Sequence, residues 1–257
     1  MSSLNEGLEK ITILEVLIVI LALTGILILS EFMGYSISND WLYVIVILYF
    51  IYRLRVFGKG FKHDWNTIFS KISPKSLVTI VLVNVFFSYG MLYLSIFALN
   101  YIPGFDSLVT AFFVPLIPVN SLADAGAMFS TIVISPICEE LLFRGVFLNR
   151  LSLFVPMSFS IVITSILFGA LHGYGGVISA IIFGVCMCII YIKTKNILTC
   201  ILAHFLNNLL AEILYHIDTG NLIFTNSIFI VLFSILAIVS FYLIVISIHQ
   251  EWKQVNK

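Results

Sequence analysis

Apolar residues run almost unbroken through eight stretches of this chain, at about 11–30, 41–57, 77–102, 127–150, 156–172, 175–193, 197–216 and 222–248, and polar positions collect between them. Most of these runs approach the roughly 20 residues that a helix needs to cross a bilayer. Lipid offers no partner to a free backbone N–H or C=O, so a long apolar run must satisfy its own backbone as a helix. The runs are also too long and too uniformly apolar for barrel strands. The pattern predicts an all-α, polytopic membrane helix bundle with about eight transmembrane helices. The stretch from Pro103 to Asn120 is apolar but broken by Pro115 and Pro118, which predicts a surface or re-entrant piece.

Composition agrees: 61% of residues are hydrophobic and 10% charged, against roughly 45–50% and 25% in soluble domains. No Ser/Pro/Gly-rich linker, repeat or low-complexity stretch divides the chain. A single integral membrane domain over residues 1–257 is expected, with the chemistry concentrated at about 125–215 and the first three helices, at about 11–102, peripheral to it. The formal net charge is zero and no basic or acidic block occurs, which excludes a nucleic-acid surface. The first apolar run is too long for a signal-peptide core, follows an acidic stretch and lacks a small-residue cleavage site, so it is expected to persist in the mature protein. Cys138, Cys186, Cys188 and Cys200 all lie inside apolar runs and read as small hydrophobes. Cys186 and Cys188, two apart, point in different directions on a helix and do not suit a shared metal.

Charge sets the orientation. With the N-terminus inside, alternating crossings put Lys10, Arg53, Arg55, Lys59, Lys62, Lys71, Lys75, Arg150, Lys193, Lys195, Lys253 and Lys257 on the cytoplasmic side and no Lys or Arg in the opposite loops. One crossing more or fewer would scramble that split, so both termini are expected in the cytoplasm.

Several polar residues fall at membrane depth, where an unpaired carboxylate or imidazole costs from about 2.5 kcal/mol upward. Glu140 and Arg144 are four apart and share one helix face, so they can pair. Glu139 is rotated about 100° from Glu140 and is left as the freer carboxylate, suited to taking and returning a proton. His172 stands where an apolar run gives way to a Gly-rich turn, and Gly169 and Gly173 beside it would permit close helix packing. His204, Asn208 and Glu212 recur every four residues and form one polar stripe that must face protein or water. His204 and Asn208 can both donate to a single oxygen, as an oxyanion-stabilising pair should. Glu212 and His216 lie further out and read as structural, Asn84 and Asn100 as interhelical hydrogen-bonding residues, and Trp41, Trp65 and Trp252 as interface anchors.

The set Glu139-Glu140-x-x-x-Arg144, Phe168-x-x-x-His172 and His204-x-x-x-Asn208, in that order on successive helices, with Pro136 upstream and Gly145 after the arginine, resembles the motifs of the CAAX-processing and bacteriocin-processing (CPBP, or Abi) intramembrane endopeptidases. The resemblance covers about residues 125–215. It implies that Glu139 and His172 activate a water for attack on a peptide carbonyl, that His204 and Asn208 stabilise the oxyanion, and that Glu140 and Arg144 support the site. It leaves open whether a divalent metal such as zinc, held by Glu139, His172 and His204, assists, or whether general-base catalysis runs without one. It also implies a membrane-bound or hydrophobic peptide as substrate, of the CAAX, bacteriocin or pheromone-precursor type, and composition is compatible with a bacterial plasma membrane.

Two other classes meet the same residues. A proton or cation transporter would use them as a relay, yet the chain has no matching interrupted helices in two halves. A non-catalytic scaffold or immunity protein would retain them by descent. One difficulty concerns depth: on straight helices His172 falls near the outer end of its span and His204 nearer the inner side, more than about 10 Å apart at 1.5 Å per residue. Tilt, a shifted helix boundary or re-entry at the Gly-rich turn would close that distance.

Overall fold

The computed structural model describes residues 4–35, 40–55, 59–104, 125–218 and 226–255, and every regular element among them is helical. In chain order these are α1 (Leu4–Leu8), α2 (Ile13–Phe32), α3 (Asp40–Leu54), α4 (Lys59–Asn66), α5 (Pro74–Tyr101), α6 (residues 125–151), α7 (Met157–Ala170), α8 (Val177–Thr194), α9 (Ile197–Ile217) and α10 (Ser227–Val255). Five of them, α2, α5, α8, α9 and α10, contain stretches long and apolar enough to cross a membrane. The chain is thus an integral, polytopic, all-α membrane protein. Of the other expected spans, α3 and α7 are shorter apolar helices. The third, α6, alternates between α- and π-helical turns: Ala125–Phe129 is α, Ser130–Ile134 π, Ser135–Glu140 α, Leu141–Leu148 π and Asn149–Leu151 α. Pro115 and Pro118 lie outside the described residues, as does the side chain of Asn100.

Two elements escape the hydropathy pattern because they are short and lie across one end of the bundle. Helix α1 sits against α4 and the end of α6: the Leu4 N–H donates to Asp64 Oδ2 at 2.8 Å, and Arg150 Nε donates to the Ile11 carbonyl at 2.7 Å. Leu8 is fully buried against Gly145, where a Cβ would stand 2.9 Å from a Leu8 methyl. At the same end Arg53 of α3 pairs with Glu15 of α2 at 2.7 Å and Lys193 of α8 with Glu251 of α10 at 2.6 Å. Three of the basic residues assigned to one side by sequence, Arg53, Arg150 and Lys193, thus tie helices together.

Helix capping follows local chemistry. Thr12 Oγ1 accepts the Glu15 N–H at the start of α2, and Asn196 Oδ1 accepts the Leu198 N–H at the start of α9. Helix α8 stops at Lys195, whose φ of +51° is left-handed, so the chain reverses into α9 within two residues.

The expected separation of the two histidines is not found, since His172 and His204 both pack on Phe168, at 4.8 and 5.9 Å between ring centroids. Helix α7 has 14 residues, about 21 Å at 1.5 Å per residue, short of a hydrocarbon core of roughly 30 Å. It is therefore shorter than the span expected at 156–172, and His172 follows directly on its last turn, its N–H bonded to the Gly169 carbonyl at 3.0 Å. The turn at 171–176 then leads directly into α8. Close approach of α7 and α8 depends on two glycines: a Cβ on Gly169 would meet Ile181 Cγ1 at 2.4 Å, and one on Gly184 would meet Ser165 Cα at 3.1 Å. Gly173 plays no such part, because among the described residues nothing lies within 4 Å of the place its Cβ would take. The packing role expected of it belongs instead to Gly184, on the partner helix.

The contrast is testable. Gly169→Leu overpacks the α7–α8 contact and should cost about 1–3 kcal/mol or more, seen as a lower melting temperature in detergent or nanodiscs, whereas Gly173→Ala should leave it unchanged.

Candidate active site

The site starts from a backbone irregularity in α6. In its first π-helical turn the Ser135 N–H bonds the carbonyl five residues back, at Ser130. The next donor in that register is residue 136, which is proline and has no N–H, so the Thr131 carbonyl is left without a helical partner. Asn208 of α9 fills the gap, donating from Nδ2 to the Thr131 carbonyl at 2.9 Å. Pro136 thereby positions Asn208 from across the bundle. Such π-turns recur at functional sites, where they re-aim side chains.

One turn on, Glu140 and Arg144 form the ion pair their spacing predicts. Arg144 Nη1 donates to Glu140 Oε1 at 2.9 Å, and both side chains are fully buried. Two charges taken out of water need further partners. Arg144 Nη2 reaches the Gly184 carbonyl at 3.3 Å, and the guanidinium lies over the Phe168 ring, 4.5 Å from its centroid.

Glu140 Oε1 also bonds His204 Nδ1 at 2.8 Å. A carboxylate ionised beside arginine only accepts hydrogen bonds, so Nδ1 carries the proton and donates it to Glu140. That turns His204 Nε2 toward Glu139, whose Oε2 is 3.8 Å away. Glu139, with its side chain 15% exposed, accepts a short hydrogen bond from Ser135 Oγ one turn back. Glu140 is thus the residue that orients His204, and Glu139, outside the buried pair, is the carboxylate nearest its Nε2.

His172 is arranged differently. Its Nδ1 lies 2.9 Å from the Phe168 carbonyl, and its ring packs 4.8 Å from the Phe168 ring, centroid to centroid. His204 packs on the same phenylalanine at 5.9 Å and on Phe183 at 4.9 Å. Both imidazoles therefore share the Phe168 wall, but among the described residues no hydrogen bond or ion pair joins His172 to Glu139 or His204. Nor, among those residues, does any group of three His, Cys, Asp or Glu side chains converge at metal-binding distance.

The stripe on α9 divides in two. His204 and Asn208 turn to α6, while His216 and Glu212 engage each other one and two turns outward, His216 Nδ1 standing 2.9 Å from the Glu212 carbonyl and 3.6 Å from its Oε2. Sequence reasoning missed Ser135, Thr131, Phe183 and the Gly184 carbonyl as parts of the site. Ser135 and Glu139 are four apart, a spacing that could have been read; the Gly184 and Thr131 carbonyls leave no trace in residue type.

The buried pair makes a sharp prediction. Glu140→Ala leaves Arg144 buried and uncompensated and should cost about 3–5 kcal/mol. Replacing both residues with apolar side chains of similar volume should recover much of it, as a double-mutant cycle on thermal unfolding would register.

A family model described as Type II CAAX prenyl endopeptidase Rce1-like matches residues 121–210. No curated protein and no solved structure matches the chain. The matched span contains Glu139, Glu140, Arg144, His172, His204 and Asn208, so over that part of its length the chain is similar to a family of the CAAX-protease clan, within the CPBP/Abi group.

Proposed function

We propose that this protein is an intramembrane endopeptidase that hydrolyses a peptide bond in a membrane-bound or hydrophobic peptide. The observation that carries the proposal is the juxtaposition of Glu139 Oε2 and His204 Nε2 at 3.8 Å, with His204 oriented by Glu140. A water between α6 and α9 gives its proton to Glu139 as its oxygen attacks the scissile carbonyl. The oxyanion that forms is stabilised by His204, donating from Nε2 as the imidazolium, and by the Asn208 amide proton not engaged with Thr131. Collapse of the tetrahedral intermediate breaks the C–N bond, and Glu139 returns its proton to the leaving nitrogen. His172, on the same Phe168 wall, assists Glu139 in handling the water proton once substrate occupies the site. Glu140 and Arg144 act through His204, as positioning residues.

The donor set also suits a divalent ion such as zinc in part. Both histidines have Nδ1 tied to an oxygen, the arrangement that metal-ligating histidines adopt, which leaves each Nε2 as the ligand atom. Glu139, His172 and His204 would hold such an ion, which would polarise the scissile carbonyl. The chain would cross the bilayer eight times with both termini in the cytoplasm, a reading supported by the absence of Lys and Arg from the loops that this topology puts outside. Precursors of the CAAX, bacteriocin or pheromone kind are the substrate class that accords with the family match.

Glu139→Gln tests the reading. Loss of a general base costs about 10²–10⁴-fold in rate, while the fold holds, because Glu139 is not part of the buried ion pair. New peptide termini, compared by mass spectrometry between cells carrying wild type and Glu139→Gln at matched expression, should show a precursor that accumulates uncut in the variant. Cleavage by Glu139→Gln at the wild-type rate would sink the assignment.

A further inference from the structure

Helix α4 and the turn that follows it join the end of α3 at Leu54 to the start of α5 at Pro74. Because α5 is long and apolar enough to span the membrane, this connection lies at the boundary between lipid and water. Asp64, Ile68 and Ile72 are buried, at helical spacing, and fasten the segment to the rest of the bundle. The same segment, through the first turn of α5, exposes Lys62, Trp65, Phe69, Lys71 and Lys75, with Trp65 61% and Phe69 48% exposed. Trp65 stacks on Phe61, with ring centroids 6.1 Å apart. None of the three lysines is paired with a carboxylate among the described residues. Large aromatic rings in water beside unpaired ammonium groups are costly in isolation, yet they form the combination that the headgroup region of a bilayer accommodates. The rings settle at headgroup depth, and the lysine stems let their ammonium groups reach phosphate.

The buried part is tied to the helix that carries His204 and Asn208. Asn196, which caps α9, donates from Nδ2 to the Asp64 carbonyl at 2.7 Å and to Thr67 Oγ1 at 3.3 Å. Thr199 Oγ1 donates to the Ile68 carbonyl at 3.1 Å. Thr199 precedes His204 by five residues on the same helix.

We propose that the face formed by Lys62, Trp65, Phe69, Lys71 and Lys75 binds anionic phospholipid headgroups of the leaflet at this end of the bundle, and that lipid held there steadies the start of α9. The occupant follows from charge complementarity: the face is cationic and aromatic, and its partner must be anionic and interfacial. The inference depends on the membrane placement of the chain and not on its peptidase activity.

The test uses the full chain in phosphatidylcholine nanodiscs with and without phosphatidylglycerol, comparing wild type with K62Q/K71Q/K75Q and with a control, K195Q/K253Q, at the same end but outside this face. Phosphatidylglycerol retained on the protein relative to phosphatidylcholine, counted by native mass spectrometry, should fall about fivefold per lysine removed in the triple variant and stay near wild type in the control. Phosphatidylglycerol should also raise the melting temperature of wild type and not that of the triple variant. Equal retention of the two lipids by wild type, or undiminished retention by the triple variant, would overturn the proposed surface. Selective retention without any gain in melting temperature would overturn its link to α9. Neither readout involves cleavage, so failure here is separate from failure of the peptidase reading.

Discussion

Everything around the candidate site depends on how a fully buried ion pair is kept tolerable inside an apolar bundle. Glu140 and Arg144 expose none of their side-chain surface, and separating either from water costs several kcal/mol that a single salt bridge barely offsets. The remaining partners therefore come from other helices: the Gly184 carbonyl from α8, the Phe168 ring from α7 and His204 from α9. A pair formed within one turn of α6 thus recruits three neighbouring helices to a common point. The same requirement fixes which way His204 faces, because its Nδ1 is the donor that Glu140 takes.

Backbone irregularity does the complementary work. A regular helix at residues 130–136 would consume its own carbonyls; the π-turn and Pro136 leave one of them open, and Asn208 is drawn to it. Helix α7 ends after 14 residues, and His172, just past its end, folds back on Phe168 one turn earlier. The candidate site residues come together beside helices that are imperfect as membrane spans: α6 is irregular and α7 is short. In water such irregularities would be absorbed by solvent; in lipid each freed backbone group must find a protein partner, so each one draws another helix in.

Much of this was legible in the residues. The apolar runs located the helices, and the four-residue spacing of Glu140 and Arg144 forecast their pair. The 100° offset of Glu139 separated it from that pair, and the recurrence of His204 and Asn208 put both on one face. What stayed hidden depends on backbone geometry or distance along the chain. The π-turns have no signature in hydropathy, and of the eight expected spans five are helices of clear membrane length among the described residues, while α3 and α7 are shorter there and α6 is irregular. Helix α1 is too brief to register as a periodic pattern. Gly173 and Gly184 look equally suited to close packing in sequence, and only the path of α7 against α8 distinguishes them. His204 was expected to serve the oxyanion; the hold of Glu140 on its Nδ1, which turns its Nε2 toward Glu139, was not foreseen.

The central claim is that Glu140 holds His204 by Nδ1 and so presents Nε2 to Glu139. Nitrogen-15 NMR of histidine-labelled protein in nanodiscs, with His204 assigned by substitution, reads the protonation of each ring nitrogen directly. The account predicts a protonated Nδ1 in the wild type, with that signature lost in Glu140→Gln/Arg144→Met. A His204 protonated at Nε2 alone in the wild type would contradict it.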